Sequence, residues 1–292
     1  MNDFRSDLTG LCEGRFTGAL RIEGTPAGVM YLREGLIAAI TTPGAPGPES
    51  LLLKSGRITE REWSAAFAAG AAEERVGEEL TNAAGVSAAE LEVVAVSALY
   101  DAAFVLGLNR PERWHAEPGT TPLPLPVRPG VHPGELLRET RHRLSSLSQQ
   151  WGSPQHLAAQ RVTATGRATP SAVPNTRFRD ILLHANGRHT PRDIAFLLGR
   201  GTFAVTTDIV SMAHRGLLDG RPAPSSAGAA GAAIRQPTRQ EGEGHPAVDH
   251  PGVDHPGAAP PAQAPAPVPP AALPRRRPRH GRPGAGQHGT GA

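Results

Sequence analysis

A change in composition near Arg221 sets the first limit on how this chain can fold. The 292 residues include 34 Gly and 30 Pro, and beyond Arg221 the sequence is low in complexity, with VDHPG repeated at 248–252 and 253–257. Segments of this kind cannot bury enough apolar surface to offset the loss of chain entropy on folding. We therefore predict a disordered Pro/Gly/Ala-rich basic tail at 221–292 and folded structure within residues 1–220.

Charge is distributed unevenly between the ends of the chain. The net charge is +3, yet residues 1–150 carry more acidic than basic side chains, so this half lacks the basic surface that nucleic acid requires. The tail ends in PRRRPRHGRPG, which either adds non-specific, salt-dependent affinity for nucleic acid or anionic surfaces, or acts only as a solubilising tail. The arginines of this tail basic cluster are Arg275, Arg276, Arg277, Arg279 and Arg282.

Several features favour a cytoplasmic location. Cys12 is the only cysteine, which rules out an internal disulfide framework. The start MNDFRSDLTG lacks the basic and apolar regions of a signal peptide. No apolar run approaches the roughly 18 residues that a membrane-spanning helix needs. We predict a cytoplasmic protein with no membrane span.

The N-terminal region combines strand and helix signals. From Phe16 to Ile40 apolar residues recur with a period near two, and Glu34-Gly35 is typical of a two-residue hairpin connection. Pro48 follows a loop and suits the first position of a helix, with Glu49 in its first turn. Together these features predict a small antiparallel β-meander with packed helices, which is an α+β fold.

Helix starts and one apolar stripe define the next segment. Thr59 with Glu62, and Ser87 with Glu90, match the capping-box pattern. After Ser87 an apolar stripe at three-and-four spacing predicts a central helix. Its members are Leu91, Val94, Ala95, Ala98, Leu99, Ala102, Ala103 and Leu106. RWHAEPG from Arg113 predicts a returning strand with Trp114 pointing inward, and an amphipathic helix follows from Gly134.

The rest of the region before the tail divides into a linker and a second unit. Residues 151–174 are rich in Ala, Thr, Gln and Pro, which favours a linker. Residues 175–220 contain three amphipathic helices, the first ending at Asn186-Gly187 and the second entered through Thr190 and Asp193. The predicted domains are therefore 1–150, the linker 151–174, 175–220 and the tail 221–292.

The sequence contains little catalytic or metal-binding chemistry. It has no G-x-S-x-G elbow and no phosphate-binding glycine loop, and we interpret Cys12 as a packed or edge thiol and not as a nucleophile. His184 and His189 lack further ligands at a suitable spacing, while His250 and His255 of the repeat are either a loose metal site or a duplication without function. We predict a protein that is not an enzyme, with no catalytic residue, no cofactor and no metal.

One group of residues carries a family resemblance. F-T-G-A-L from Phe16, G-V-M-Y-L-R-E-G-L-I-A-A from Gly28 and G-P-E-S-L-L from Gly47 are similar to the PATAN-type adaptor domain of bacterial signalling proteins. The resemblance covers roughly residues 5–148 and implies a non-catalytic α+β module that contacts another signalling protein. We expect the partner surface to include the hairpin and the next helix entrance. Its residues would be Gly28, Tyr31, Arg33, Glu34, Gly35, Pro48 and Glu49.

The segment 175–220 resembles a winged-helix domain through GRHTPRDIAFLLGR and DIVSMAHRGLL. That resemblance implies a third helix that approaches the major groove of DNA. Residues that would contact DNA are Arg188, Arg192, Arg200, Thr206, Thr207, Ser211, His214 and Arg215. Two hypotheses remain open: a cytoplasmic regulatory adaptor that binds another protein, or a winged-helix transcriptional regulator controlled by the N-terminal domain.

Overall fold

A four-stranded antiparallel sheet and the long helix behind it organise the fold. The computed structural model describes residues 3–166, 168–169, 171 and 173–219, which belong to one compact unit. The strands are β1 Gly18–Glu23, β2 Gly28–Arg33, β3 Leu36–Thr41 and β4 Arg113–Pro118. The helices are α1 Phe4–Glu13, α2 Pro48–Lys54, α3 Glu60–Gly70, α4 Val76–Ala84, α5 Ala88–Gly107, α6 Pro133–Trp151, α7 Pro154–Ala159, α8 Thr176–His184, α9 Pro191–Leu198 and α10 Thr202–His214.

The sheet confirms the predicted meander and the α+β class. Its strand order is β3-β2-β1-β4, so the returning strand β4 pairs with β1 at the opposite end from β3. Glu34 and Gly35 form the β2–β3 turn with φ of 48° and 81°, which a type I′ hairpin turn requires of both residues. A β-bulge interrupts the β2–β3 register between Tyr31 and Leu32. The other edge of β3 is covered by a connector, since Ile37 and Val131 exchange backbone hydrogen bonds of 2.9 Å.

Helix α5 lies at the centre, as its apolar stripe predicts. Every predicted stripe residue is buried, and so is Phe104. The capping box is present, with Ser87 Oγ accepting from the Glu90 N–H at 3.2 Å. The matching box at Thr59 and Glu62 begins α3. These two local predictions are confirmed because each depends on residues only three positions apart.

A smaller apolar cluster joins α2, α3 and α4 to the first turns of α5. Its buried members are Leu52, Ile58, Trp63, Ala66, Val76, Leu80, Val86, Leu91 and Val94. The main core, by contrast, draws residues from Leu8 in α1 to Leu218 beyond α10. Helix α1, which the periodicity argument did not predict, contributes Leu8 and the partly buried Phe4 and Leu11 to that core.

The segment 151–174 differs from the predicted linker. It contains α7, and Leu157 and Val162 are buried in the main core. The Val162 N–H donates to the His189 carbonyl at 2.8 Å, and short bridges pair Thr163 with Asn186 and Ala164 with Leu218. A few well-placed apolar residues thus outweigh an average composition typical of linkers. The predicted boundary between residues 1–150 and 175–220 is therefore not a break in packing, because both sides share one core.

Helices α8, α9 and α10 form the predicted three-helix arrangement. Thr190 and Asp193 form a full capping box at the start of α9. The arrangement packs around the buried residues Ile194, Ala195, Ile209, Met212 and Leu218, with Leu198 and Leu217 partly buried. The predicted tail, with the VDHPG repeat and the tail basic cluster, lies outside the described residues.

Candidate protein-contact surface and helical region

The sheet has one buried face and one exposed face. Leu20, Met30 and Ile40 share a row and are buried towards the core. The alternate residues form the face that we call the outer face. Its members are Ala19, Arg21, Glu23, Val29, Tyr31, Ala39, Thr41, Arg113, His115 and Glu117. Exposed positions predominate on β4, so this face meets solvent.

Charged side chains on the outer face are paired across strands. Arg21 Nε donates to Glu117 Oε2 at 2.7 Å, and Arg113 Nε donates to Glu23 Oε2 at 3.0 Å. His115 Nε2 lies 3.1 Å from Glu117 Oε1. The hydrogen bond from Arg21 lowers the pKa of the Glu117 carboxyl and raises that of the guanidinium. These pairs are exposed, so they contribute little to the stability of the fold and mainly determine the distribution of charge on its surface.

An aromatic residue and a groove complete the outer face. Tyr31 is partly exposed and lies in one row between Ala19 and Ala39. Ala19 is buried in this row and Ala39 is partly exposed, so Tyr31 is the large side chain that this row presents to solvent. An open groove of about 460 Å³ adjoins this face, with a lining that includes Arg21, Val29, Thr41, Thr42, Pro43 and His115. An aromatic group beside paired charges is a common composition for a protein interface.

The predicted partner surface is not brought together as one patch. Gly28 faces the core, where a Cβ would lie 2.7 Å from the Thr41 carbonyl oxygen and 2.9 Å from Leu106. Gly35 is buried, and a Cβ there would collide with the Cys12 carbonyl. Both glycines are required by close packing and a turn. They do not form a contact surface.

The remaining predicted partner residues have separate places. Tyr31 lies on the outer face, while Glu34 pairs with Arg15 at the exposed hairpin turn. Pro48 is partly buried at the start of α2, as predicted. Glu49 is exposed and lines a second groove, of about 400 Å³, between α2 and the start of α3. Only Tyr31 belongs to the outer face.

Arg33 belongs to a partly solvated ion-pair cluster with Glu74 and Arg128. Its guanidinium donates to both oxygens of Glu74, with one contact at 2.6 Å. Glu74 also accepts from the Leu123 N–H at 2.8 Å and from Arg128 at 3.2 Å. The Arg33 hydrogen bonds hold the pKa of the Glu74 carboxyl below its ordinary range. Glu74 has a φ of 57°, so this cluster fixes an unusual backbone turn between α3 and α4.

The helical region exposes only half of its eight predicted DNA-contacting residues. Thr206 is 2% exposed, and Arg200 donates to the buried Asp208 at 2.5 Å. Thr207 donates its hydroxyl to the Phe203 carbonyl at 2.9 Å and is only partly exposed, as is Ser211. A helix that is apolar and buried around most of its surface is a core helix. The predicted groove-reading role of α10 conflicts with this burial in the described arrangement.

The start of α10 is covered by a carboxylate from α5. Asp101 is 3% exposed, and its two oxygens accept the N–H groups of Thr202 at 2.5 Å and Phe203 at 2.7 Å. Burial raises the pKa of the Asp101 carboxyl, opposed by these hydrogen bonds and by Arg143. In helix-turn-helix proteins the N-terminal residues of the recognition helix contact base edges. Here the first residues of α10 lie against α5, and their N–H groups donate to Asp101.

Four of the predicted DNA-contacting residues remain exposed. They are Arg188, Arg192, His214 and Arg215. Arg192 lies over the Phe196 ring and Arg215 over the Phe178 ring, at 5.8 and 5.4 Å from the ring centroids. Their charges are accessible to phosphate, but these residues supply no ordered row of base-reading groups.

Cys12 and His132 form a thiol–imidazole contact that is unsuited to nucleophilic catalysis. Cys12 Sγ lies 3.4 Å from His132 Nε2, and the Gly134 N–H donates to His132 Nδ1 at 3.1 Å. Because Nδ1 accepts a hydrogen bond, the neutral ring carries its proton on Nε2. Nε2 therefore donates towards the sulfur and cannot take the thiol proton, as an activating base must.

Metal-binding and membrane-spanning features are equally sparse. Within the described ranges no group of three or more His, Cys, Asp or Glu side chains is placed to hold a metal ion. No single described helix is long and apolar enough to cross a membrane. Taken together α9 and α10 would meet that criterion, although they are bent by 118°.

Comparisons with known proteins add no relationship. No family model matches the sequence, and no curated protein and no solved structure matches it either. The resemblances to the PATAN-type domain and the winged helix therefore rest on the residues quoted above.

Asp101 and Glu74 have structural roles that the sequence did not predict. Asp101 sits on the edge of a stripe whose other members are apolar, which is the signal that could have marked it as a buried polar group. In the sequence Glu74 stands among Glu73, Glu78 and Glu79, a spacing typical of a solvated helix face. It has a different role because the chain turns there and brings Arg33 and Arg128 to it.

Proposed function

We propose that this chain is a non-enzymatic cytoplasmic adaptor that binds another protein of bacterial signal transduction through the outer face. The partly exposed Tyr31, with paired charges on neighbouring strands of the same face, is the observation that carries this proposal. The resemblance of residues 5–148 to the PATAN-type domain is consistent with it. The partner would present complementary charge around a pocket or small residues that accept the Tyr31 ring.

The outer face is suited to reversible contact because it requires little rearrangement. Its charges are already paired within the sheet, so docking does not leave an isolated ion buried. The sheet itself is rigid through three ladders, and a preorganised surface loses less conformational entropy on binding. Tyr31 then supplies the apolar area.

DNA recognition by the winged-helix-like region is the alternative, and the position of α10 supports it less. Thr206 and the first N–H groups of α10 are inaccessible in the described arrangement. Contacts by Arg188, Arg192 and Arg215 would be made mainly to phosphates, which position a protein on DNA without reading its sequence. A sequence-specific regulator would need α10 to leave its place against α5.

The experiment that tests the adaptor is site-specific photo-crosslinking in cells. A photoreactive amino acid at Tyr31 should capture a defined partner, and the same group at the exposed Gln149 of α6 should not. Arg21→Glu should abolish the capture, while Arg141→Glu, an exposed arginine of α6, should leave it unchanged. Equal capture from both faces would contradict the proposal.

A second measurement addresses DNA. Fluorescence anisotropy with genomic and random duplexes, at two salt concentrations, compares the full chain with a chain ending at Asp219. Sequence-preferring binding by the shorter chain would favour the regulator. Binding by the full chain alone, lost at high salt, would assign the affinity to the predicted basic tail.

A further inference from the structure

The outer edge of β4 has backbone groups that no described strand uses. Gly119 N–H donates to the Thr17 carbonyl at 3.3 Å, which places odd-numbered residues of β4 in hydrogen-bonded positions towards β1. The β2–β3 side gives the same alternation, because Ile37 turns its backbone groups away from β2 to Val131. The N–H and C=O groups of Trp114 and Ala116 therefore point away from the sheet.

This edge is accessible. Strand β4 is terminal in the described sheet, and Ala116 is exposed, as are its neighbours His115 and Glu117. The indole of Trp114 is held on the inner side, where Nε1 donates to Asp7 at 2.9 Å and the ring meets Phe4 edge-on. Nothing in these contacts occupies the backbone of the edge. Open edges of this kind pair with another strand unless charges or proline prevent it.

The charges on β4 are complementary to those of a second copy of the same strand. In an antiparallel pair with its two-fold axis at His115, Arg113 of one chain would lie opposite Glu117 of the other. Arg113 already contacts Glu23, and Glu117 contacts Arg21. The charges along each cross-strand row would then alternate: Glu117 of one chain is negative, Arg113 of the other is positive, and Glu23 beside it is negative. Opposite charges on neighbouring strands are the favourable arrangement for cross-strand pairs.

The same register satisfies the free backbone groups. With the axis at His115, the N–H of Ala116 reaches the C=O of Trp114 in the other chain, and the N–H of Trp114 reaches the C=O of Ala116. Pro118 has no N–H and ends the ladder. Register, backbone pairing and charge thus agree on one arrangement.

We propose that two copies of this chain associate through antiparallel β4–β4 pairing, which forms one continuous sheet with both outer faces on the same side. The ladder is short, so the association is weak and depends on protein concentration. It goes beyond the adaptor function, since it presents two Tyr31 surfaces together, and its test does not depend on finding a partner.

The first test is disulfide capture in the full chain. In a Cys12→Ser background, which removes the only thiol, His115→Cys places two thiols opposite each other in a non-hydrogen-bonded pair, where the short separation suits a disulfide. The control is Arg21→Cys, in the same row but one strand inward, with a native side chain of nearly equal exposure (50% against 51%). With oxidised glutathione, the His115→Cys chain should form covalent dimers at least tenfold faster than the Arg21→Cys chain. Equal rates would overturn the proposal.

The second test is sedimentation equilibrium of variants. Ala116→Pro removes an outward N–H and should raise the dimer dissociation constant at least tenfold, whereas Ala116→Ser keeps the N–H and should not. Arg113→Glu and Glu117→Arg should each weaken association about threefold, and reversing all four paired charges by adding Arg21→Glu and Glu23→Arg to the double variant should restore it. If association is not restored while circular dichroism shows an intact fold, these charges prevent strand pairing at the edge and do not favour it. That result would overturn the proposal.

Discussion

Asp101 and Glu74 are two carboxylates that join distant segments in opposite electrostatic ways. Asp101 accepts two backbone N–H groups in a buried joint between α5 and α10. Glu74 accepts from two guanidinium groups and one N–H in a cluster that solvent still reaches. The pKa of Asp101 is raised by burial, and that of Glu74 is lowered chiefly by the Arg33 hydrogen bonds.

The comparison shows that the source of the hydrogen bonds determines what a buried acid does for the fold. Backbone N–H groups orient Asp101 but supply only partial charge, so desolvation dominates. Guanidinium groups neutralise Glu74 directly, so the ionised form is the favoured one. Asp101 links α5 to α10 at a cost in desolvation, so the stability of the fold should respond strongly to its replacement. Glu74, by contrast, stabilises the fold near neutral pH.

The largest effect is expected from Asp101→Asn. The amide has one acceptor oxygen, so its NH₂ group would face one of the N–H groups of α10 and leave a buried donor unsatisfied. We expect a loss of about 2 kcal/mol in the free energy of unfolding, which corresponds to a fall of roughly 4–8 °C in the melting temperature. Differential scanning calorimetry checks this, with Glu92→Gln on the exposed face of α5 as the control. An unchanged melting temperature for Asp101→Asn would contradict the claim that the hydrogen bonds from α10 to Asp101 stabilise the fold.

Glu74→Gln should have a smaller effect. Neutralising the acid weakens its contacts with Arg33 and Arg128, although the amide oxygen still accepts one hydrogen bond. Because the site is partly solvated, we expect a loss of about 1 kcal/mol. Chemical denaturation measures it, and Glu73→Gln, at an exposed neighbour, should unfold like the original chain.

The pH dependence of these two losses should have opposite signs. The folded pKa of Glu74 is lowered, so its stabilisation is present above the ordinary carboxyl range near pH 4 and is lost as pH falls through the folded pKa. The folded pKa of Asp101 is raised, so its contribution is fullest at low pH and is lost as pH rises through the folded pKa. As pH falls from 7 to 4, the difference in free energy of unfolding between the original chain and Glu74→Gln should become smaller. The difference between the original chain and Asp101→Asn should become larger. Parallel changes would refute the assignment.

The smallest effect is expected on the outer face. Arg21→Ala removes an exposed pair with Glu117, and exposed pairs contribute little to stability because water and salt screen them. The melting temperature should stay close to that of the original chain at 0.5 M salt, where such pairs are screened most. A marked drop would mean that the outer face is part of the structural core of the sheet.

Local signals account for most of what could be predicted. The Glu34-Gly35 turn, the capping boxes and the α5 stripe depend on residues within one or two turns, and the structure confirms all of them. The joint at Asp101 depends on residues about a hundred positions later, which no periodicity encodes. For the same reason segment 151–174 was mistaken for a linker, because its few core residues gain their partners only in the folded chain.

For the candidate sites, too, the local features could be predicted and those that depend on distant residues could not. Tyr31 could be placed on a strand from alternation alone, but its exposure depends on which face the helices cover. Thr206 and Arg200 were assigned to DNA contact from the resemblance of residues 175–220 to a winged-helix domain, Thr206 on the third helix and Arg200 as a phosphate contact near the second. Their burial and pairing depend on α5 and Asp208.

The joint between Asp101 and α10 also bears on how the chain is made. A ribosome adds about 5–20 residues per second, so Asp101 emerges roughly 5–20 s before Thr202 can reach it. During that interval the apolar end of α5, including Phe104, lacks Phe203, which packs edge-on against it in the finished fold. The nascent N-terminal region therefore leaves part of its core uncovered until α10 has been synthesised.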